Sequence, residues 1–294
     1  IMRTRPLGNT GIEVTELSFG TWEIGGLFWG PVDQHEALRF LRQAKDLGIS
    51  TFDTADVYGN GRSECLIGRA FHDCRDEVVL ITKAGYMTGI DGAQFIYDGA
   101  PQYFDARSLT WSCEMSLRRL ETNIIDVFLL HDPPPKILRR KSVWSTLRRL
   151  QKQGKIKHFG ASTDAKGAVT AIEQGADVVE LAFNLIWPDA LDELLPLAER
   201  EGVGVLARSP FGSGLLLRKG PDSRGRPFRF LAQKGRPLTS AAIKYVLGHS
   251  PVSSVVSGVL TPTELKKNMA ACQRPLLSAA ERRRITQVHR SVAI

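Results

Sequence analysis

The chain has 294 residues, 43% hydrophobic and 24% charged, which excludes disordered and collagen-like classes. That length supports a deep core without disulfide or metal staples and admits either two domains or one large barrel. Lys and Arg number 39 against 31 acidic residues, and the net charge of +8 leaves open a nucleic-acid surface, an anionic ligand or a merely basic exterior.

Near the start, Leu7-Gly8-Asn9-Thr10-Gly11-Ile12-Glu13-Val14 reads as a hairpin, because Asn and Gly supply the turn geometry. Such a hairpin can plug the N-terminal end of a barrel. Apolar, β-branched-rich runs then recur at 17–20, 50–54, 78–83, 126–131, 156–162, 178–184, 203–209 and 252–258. Their continuous hydrophobicity suits strands covered on both faces. Amphipathic segments at 35–47, 108–120, 143–153, 191–201 and 240–247 lie between them, with Gly48, Gly154 and Gly202 as helix stops. Eight strands alternating with helices predict an α/β protein, a closed (β/α)8 TIM barrel with an N-terminal β-hairpin. A C-terminal helix is expected over 278–292. The first barrel strand runs into Gly20-Thr21-Trp22-Glu23-Ile24-Gly25-Gly26, not the G-x-G-x-x-G of an open dinucleotide-binding sheet. No Pro/Gly/Ser-rich linker divides the chain, so one domain over 1–294 is expected. Two connections, 84–105 and 210–237, exceed simple βα loops; both follow C-terminal strand ends, where barrels build their sites.

Cys65, Cys74, Cys113 and Cys272 lie far apart without a C-x-x-C pair, which reads as a reduced, cytoplasmic setting. No run approaches the ~20 apolar residues that span a bilayer, and Ile1–Arg5 opens no signal peptide. Neither a membrane nor a nucleic-acid partner is therefore expected: no basic stripe with interleaved aromatics or recognition module is present.

If the strands are as read, their tips carry ionisable groups to one rim. Asp53 ends the second strand, Lys83 the third and His131 the fourth, and Tyr58 lies five positions beyond Asp53. Any one of them alone reads as an ion pair or a packed ring; the convergence of four reads as chemistry. A Lys ammonium beside a phenol favours the phenolate and should lower the tyrosine pKa from about 10. Asp53 can hold Lys83 charged, and His131 can hydrogen-bond a substrate oxygen. No serine or cysteine nucleophile with its base is evident. No metal is expected either, since the remaining histidines (His35, His72, His158, His249, His289) fall away from the rim.

These residues sit in motifs that resemble the aldo-keto reductases. They are Phe19-Gly20-Thr21-Trp22, Phe52-Asp53-Thr54-Ala55-Asp56-Val57-Tyr58-Gly59, Ile81-Thr82-Lys83, Ile125 through His131, and Ser209-Pro210-Phe211-Gly212-Ser213-Gly214-Leu215. The resemblance runs from Leu7 to about Ala271. It implies a barrel that binds a nicotinamide dinucleotide without a Rossmann fold, with a catalytic tetrad at Asp53, Tyr58, Lys83 and His131. It further implies hydride transfer to a carbonyl carbon, with Tyr58 as proton donor, Lys83 and Asp53 tuning it, and His131 orienting the carbonyl.

The same resemblance assigns Gly20, Thr21, Trp22, Asp53 and Gly258 to the cofactor, and Ser162 and Thr163 to the nicotinamide amide, Thr163 standing where the family has Asn. Glu180 replaces a Gln, and Arg208 replaces a stacking Tyr or Trp. Ser209, Pro210, Phe211, Gly212, Ser213 and Leu215 should follow the pyrophosphate, beside a loop bearing Lys219, Arg224, Arg226, Arg229, Lys234 and Arg236. Asn268 matches an adenine-contacting Asn. The Arg that grips a 2′-phosphate is missing, with Leu260 and Glu264 in its place. NADP(H) is favoured by the family pattern and NAD(H) stays open. Trp22, Phe28, Trp29, Tyr58, Tyr86 and His131 are expected around a small carbonyl or sugar substrate. Alternatives are a sugar or alcohol dehydrogenase working in the oxidation direction, and a cofactor-binding regulatory subunit. The oligomeric state is not read from the sequence.

Overall fold

Strands β1 (Thr4–Pro6) and β2 (Glu13–Thr15) form the expected antiparallel hairpin, with Arg5 opposite Val14. In this computed structural model the described residues are 2–26, 32–86, 101–220, 223–233 and 235–291. The hairpin is tied to the N-terminal end of the barrel. The Asn9 amide donates to the Gly202 carbonyl, and the Arg5 guanidinium reaches the carbonyls of Leu247 and Val252. Buried Glu16 accepts from Arg3 and Arg5, so a carboxylate that would be costly alone has partners.

Eight parallel strands follow: β3 (Leu17–Gly20), β4 (Thr51–Asp53), β5 (Val79–Ala84), β6 (Ile125–His131), β7 (Ile156–Ser162), β8 (Val178–Ala182), β9 (Gly204–Arg208) and β10 (Val252–Gly258). β10 pairs with β3, Gly258 opposite Gly20, and closes the barrel. Asp residues cap several intervening helices: Asp33 accepts from the Glu36 amide before Gln34–Asp46, Asp105 from Ser108 before Ala106–Arg119, and Asp164 from Gly167 before Ala165–Glu173. The C-terminal helix spans Ala279–Ser291. Among the described residues no helix is long and apolar enough to cross a membrane.

Strand alternation sorts the core into two parts. Phe52, Leu80, Phe128 and Leu130 pack outward with Trp144 beneath the helices. Ile81, Val127, Leu129, Val178, Leu206 and Val256 fill the barrel interior, sealed by Leu7 and Val14 of the hairpin. Two positions beyond those interior residues, on the same face, stand Lys83, His131, Glu180, Arg208 and Gly258. The strand period thus lifts the ionisable groups into the layer directly above the apolar filling.

β8 and β9 end earlier than their apolar runs suggest. Asn184 leaves the ladder, accepting from the amides of Ile186 and Trp187 and donating through Nδ2 to the Ser209 carbonyl. That Asx-type turn ends both strands, whatever the hydrophobicity of Phe183.

Candidate active site

A cavity of about 610 Å³ opens at the C-terminal ends of the strands. Its walls include Gly20, Thr21, Trp22, Asp53, Tyr58, His131, Ser162, Glu180, Arg208, Ser209, Pro210, Phe211, Ser213 and Gly258. A larger groove, about 890 Å³, lies outside the barrel along Gln34–Asp46 and contains none of the sequence-predicted site residues.

Lys83 stands at the centre, fully buried. Its Nζ donates to both Asp53 oxygens at 2.7 and 2.6 Å and to the Thr54 carbonyl at 3.0 Å, and Glu180 Oε1 lies 3.4 Å away. The turn after β4 brings Tyr58 back over it, with Nζ 5.4 Å from the ring centroid. That turn is fixed by Thr54 donating to Ser63 Oγ, by the Tyr58 amide on the Ala55 carbonyl, and by Asp56 accepting from the amides of Gly85 and Tyr86. The Tyr58 and His131 rings meet edge-on at 5.9 Å; Trp22 stacks on Tyr58 at 6.3 Å, and Tyr86 meets His131 edge-on at 5.3 Å.

The electrostatics differ from the sequence expectation at Tyr58. Burial of its hydroxyl pushes the phenol above its ordinary value; Lys83 acts downward, but Asp53 and Glu180 push up with burial, so the phenol keeps its proton. Burial, then the cations Lys83 and Arg208, hold His131 well below the usual imidazole range, so it is neutral near pH 7. Burial works against the Lys83 ammonium, yet Asp53 and Glu180 outweigh it and keep the cation. One ammonium faces two carboxylates, and burial together with Glu180 pushes the Asp53 carboxyl up.

Next to His131, on β7 and β8, Ser162 Oγ donates to Glu180 Oε1 at 3.0 Å, while Glu180 Oε2 is buried with no donor on it. Arg208 lies 4.0 Å from Glu180 Oε1 and 3.6 Å from Asp132 Oδ1. The segment from Ser209 runs through tight turns, with the Gly212 amide on the Ser209 carbonyl and the Gly214 amide on that of Phe211. A Cβ on Gly258 would fall 1.9 Å from Glu23 Oε1, so the bare Cα lets the Glu23 carboxyl lie against β10 as it does. Glu23 is raised by burial against its own backbone bond, with Glu264 adding to the rise, and its Oε2 has no partner. The orphaned oxygens of Glu180 and Glu23 and the tight backbone turn fit an elongated polar ligand lying from β8 to β10.

Several predicted residues stand elsewhere. Thr163, Gly212, Leu215 and Asn268 do not line the cavity; buried Asn268 turns its Nδ2 to Ser257 Oγ at 3.2 Å. Tyr86 is buried behind His131 and off the wall. Phe28, Trp29 and Lys234 lie outside the described residues. Among the described residues no cation of the basic loop lines the cavity: Arg236 is tied to Glu281 and the Leu231 carbonyl, holding the Glu281 carboxyl down to about 2. Glu264 accepts from the Leu260 amide at 3.0 Å. Glu23 and Asp132 are wall residues not foreseen as site groups; their only signal is position, three residues after Gly20 and one after His131.

The Aldo/keto reductase family pattern matches residues 16–290. An NADH-specific methylglyoxal reductase of Escherichia coli (strain K12) is 27% identical over 304 residues, covering 92% of this chain and 93% of that one. The holo form of an aldo-keto reductase from Bacillus halodurans superposes with a TM-score of 0.86 at 27% identity, covering 98% of this chain and 96% of that one. A glycerol dehydrogenase from Gluconobacter oxydans gives 0.83 at 25% identity, over 99% and 96% of the two chains.

Proposed function

This chain belongs to the aldo-keto reductase family of NAD(P)-dependent oxidoreductases, and we propose that it reduces an aldehyde or ketone to an alcohol, with Tyr58 as the proton donor. The observation that carries this reading is a protonated Tyr58 set between the buried Lys83–Asp53 pair and a neutral His131 on one cavity wall. A nicotinamide dinucleotide bound along β7 to β10 of the same cavity supplies the hydride. Neutral His131 hydrogen-bonds the substrate oxygen and sets the carbonyl beside Tyr58. Tyr58 then delivers its proton to that oxygen as negative charge develops there. Lys83, anchored by Asp53, stabilises the phenolate left behind. Trp22, 40% exposed at the rim, closes the substrate side.

Ser162, Glu180 and Arg208 would face the nicotinamide, and the backbone from Ser209 to Gly214 the pyrophosphate. At the adenosine end, Glu23 and Glu264 stand near each other and no described cation of the 219–236 loop lines the cavity, which favours a free ribose hydroxyl over a 2′-phosphate. NAD(H) is therefore the preferred cofactor on these residues, against the NADP(H) of the family pattern. Dissociation constants for the two reduced cofactors test this, and tighter NADPH binding would overturn it.

Reduction is the proposed working direction, with small carbonyl compounds as the substrate class and Tyr58 holding the proton to be delivered. Small polyols, suggested by the glycerol dehydrogenase relative, are the class for the reverse reaction. The Tyr58→Phe variant should bind nucleotide as the parent does and lose at least about 10²-fold in turnover of an aldehyde panel. Near-parental single-turnover reduction by that variant would sink the assignment.

A further inference from the structure

Glu180 is a carboxylate where the carbonyl chemistry needs no acid. It sits on β8 with 1% of its surface exposed, in register with Ser162 of β7, which is itself the register partner of His131 on β6. Its Oε1 is engaged by Ser162 Oγ and faced by Lys83 and Arg208, Oε2 is buried with no donor on it, and the Asp53 carboxyl lies within its reach. A carboxylate only accepts hydrogen bonds, whereas an amide would both donate and accept. What Glu180 adds over an amide of the same shape is charge. Counted together, Asp53, Glu180 and Asp132 bring three carboxyl groups to the two cations Lys83 and Arg208 that face them.

We propose that Glu180 is a positioning residue that selects the redox state of the cofactor: its carboxylate binds the oxidised, cationic nicotinamide more favourably than the neutral reduced ring. This rests on the cofactor site proposed above. A carbonyl whose oxygen is held at Tyr58 and His131 must receive the hydride at its carbon, from a ring lying beside Ser162, Glu180 and Arg208 on the successive strands β7, β8 and β9 of the same cavity. In the reaction the hydride carries two electrons from the dihydropyridine carbon to the carbonyl carbon, and the Tyr58 proton goes to the oxygen. The ring is left with one positive charge, created beside Glu180 in a site of low dielectric. Glu180 thereby draws the bound equilibrium toward alcohol and oxidised cofactor.

The test is a pair of titrations, by quenching of tryptophan fluorescence, of oxidised and reduced NAD and NADP against the parent, Glu180→Gln and Glu180→Asp. The ratio of Kd for the oxidised form to Kd for the reduced form should rise about tenfold in Glu180→Gln, equivalent to about 1.4 kcal/mol. That is a fraction of a bare charge–charge attraction, since Lys83 and Arg208 already compensate part of the carboxylate. In Glu180→Asp, which keeps the charge, the ratio should stay within about twofold of the parent. A merely structural Glu180 would shift both constants together, and an unchanged ratio in Glu180→Gln overturns the proposal. Should Glu180→Gln fail to fold, Glu180→Met is the second uncharged variant and carries the same expectation. Failure of the parent to bind either nucleotide in either state would overturn the cofactor reading itself, and the proposal with it.

Discussion

Replacing Lys83 with Met removes a cation and keeps the length of its stem. In the parent, Nζ stands 2.6 Å from Asp53 Oδ2 and 3.4 Å from Glu180 Oε1, with side-chain exposures of 1%, 4% and 1%. At an effective dielectric near 20 these separations correspond to attractions of about 6 and about 5 kcal/mol. Desolvation of the three charges cancels most of that, but deleting one partner leaves the desolvation of the others uncompensated, at about 3–5 kcal/mol. The loss must depend on pH. Asp53 already titrates above its unfolded value, and without the ammonium its carboxyl is pushed higher still. A carboxyl raised in the folded state binds a proton on folding, so its penalty is absent below the unfolded value and grows as pH rises. Urea unfolding of Lys83→Met should therefore show a loss of about 1–2 kcal/mol at pH 5 and about 4 kcal/mol at pH 8. Adding Asp53→Asn removes one of the stranded carboxylates and should restore about half of the loss at pH 8. Equal losses at both pH values, or a double variant no stronger than the single one, would refute this account of the trio.

Two further perturbations probe the scaffold around it. A Cβ on Gly160 of β7 would fall 1.6 Å from the Val178 carbonyl on β8, so Gly160→Ala should cost about 3 kcal/mol or more; a thermal midpoint within about 2 °C of the parent would contradict it. Burial, then Glu64, raises the Asp56 carboxyl to about 7, against Arg119 and the backbone amides of Tyr86 and Gly85. The fold then loses stability from this group as pH rises from about 4 to 7, whereas Asp56→Asn keeps an acceptor for those amides and does not titrate. The stability of Asp56→Asn relative to the parent should grow across that window by up to about 4 kcal/mol, and parallel stability–pH curves would count against it.

The barrel was legible because its strands are largely buried and read as short runs rich in apolar and β-branched residues: 17–20, 156–162 and 252–258 match β3, β7 and β10 to the residue. Asp53, Lys83 and His131 were legible for a related reason. A charged residue closing an apolar run marks the point where the strand leaves the packed interior, and the period of two places it on the inner face. Tyr58 was reachable only through its spacing from Asp53. What the sequence could not convey is the balance of terms at short range. Lys83 near Tyr58 suggested a lowered phenol, but the sign depends on how much water the hydroxyl loses and on Glu180 arriving from β8. The inward turn of Asn268 toward Ser257 and the tie of Arg236 to Glu281 are likewise pairings between distant segments. No local pattern encodes them.

The chain is basic overall, whereas its site gathers carboxyl groups. The whole molecule carries +8, while the groups gathered at the cavity floor and walls bring three carboxyl groups to two cations, with Glu23 a further carboxyl toward β10. A uniformly positive cavity would bind phosphate anywhere along its length and leave the orientation of a dinucleotide to shape alone. A basic exterior over an interior of carboxyl groups acts differently. The field at long range draws an anion inward, while at short range the buried carboxylates reject phosphate and accept a cationic ring. The nicotinamide is the one part of a dinucleotide that becomes cationic, and it becomes so only after hydride transfer. On the cofactor site proposed above, an arrangement that sends the ring rather than the phosphates to the floor of the cavity would therefore favour the product state of carbonyl reduction.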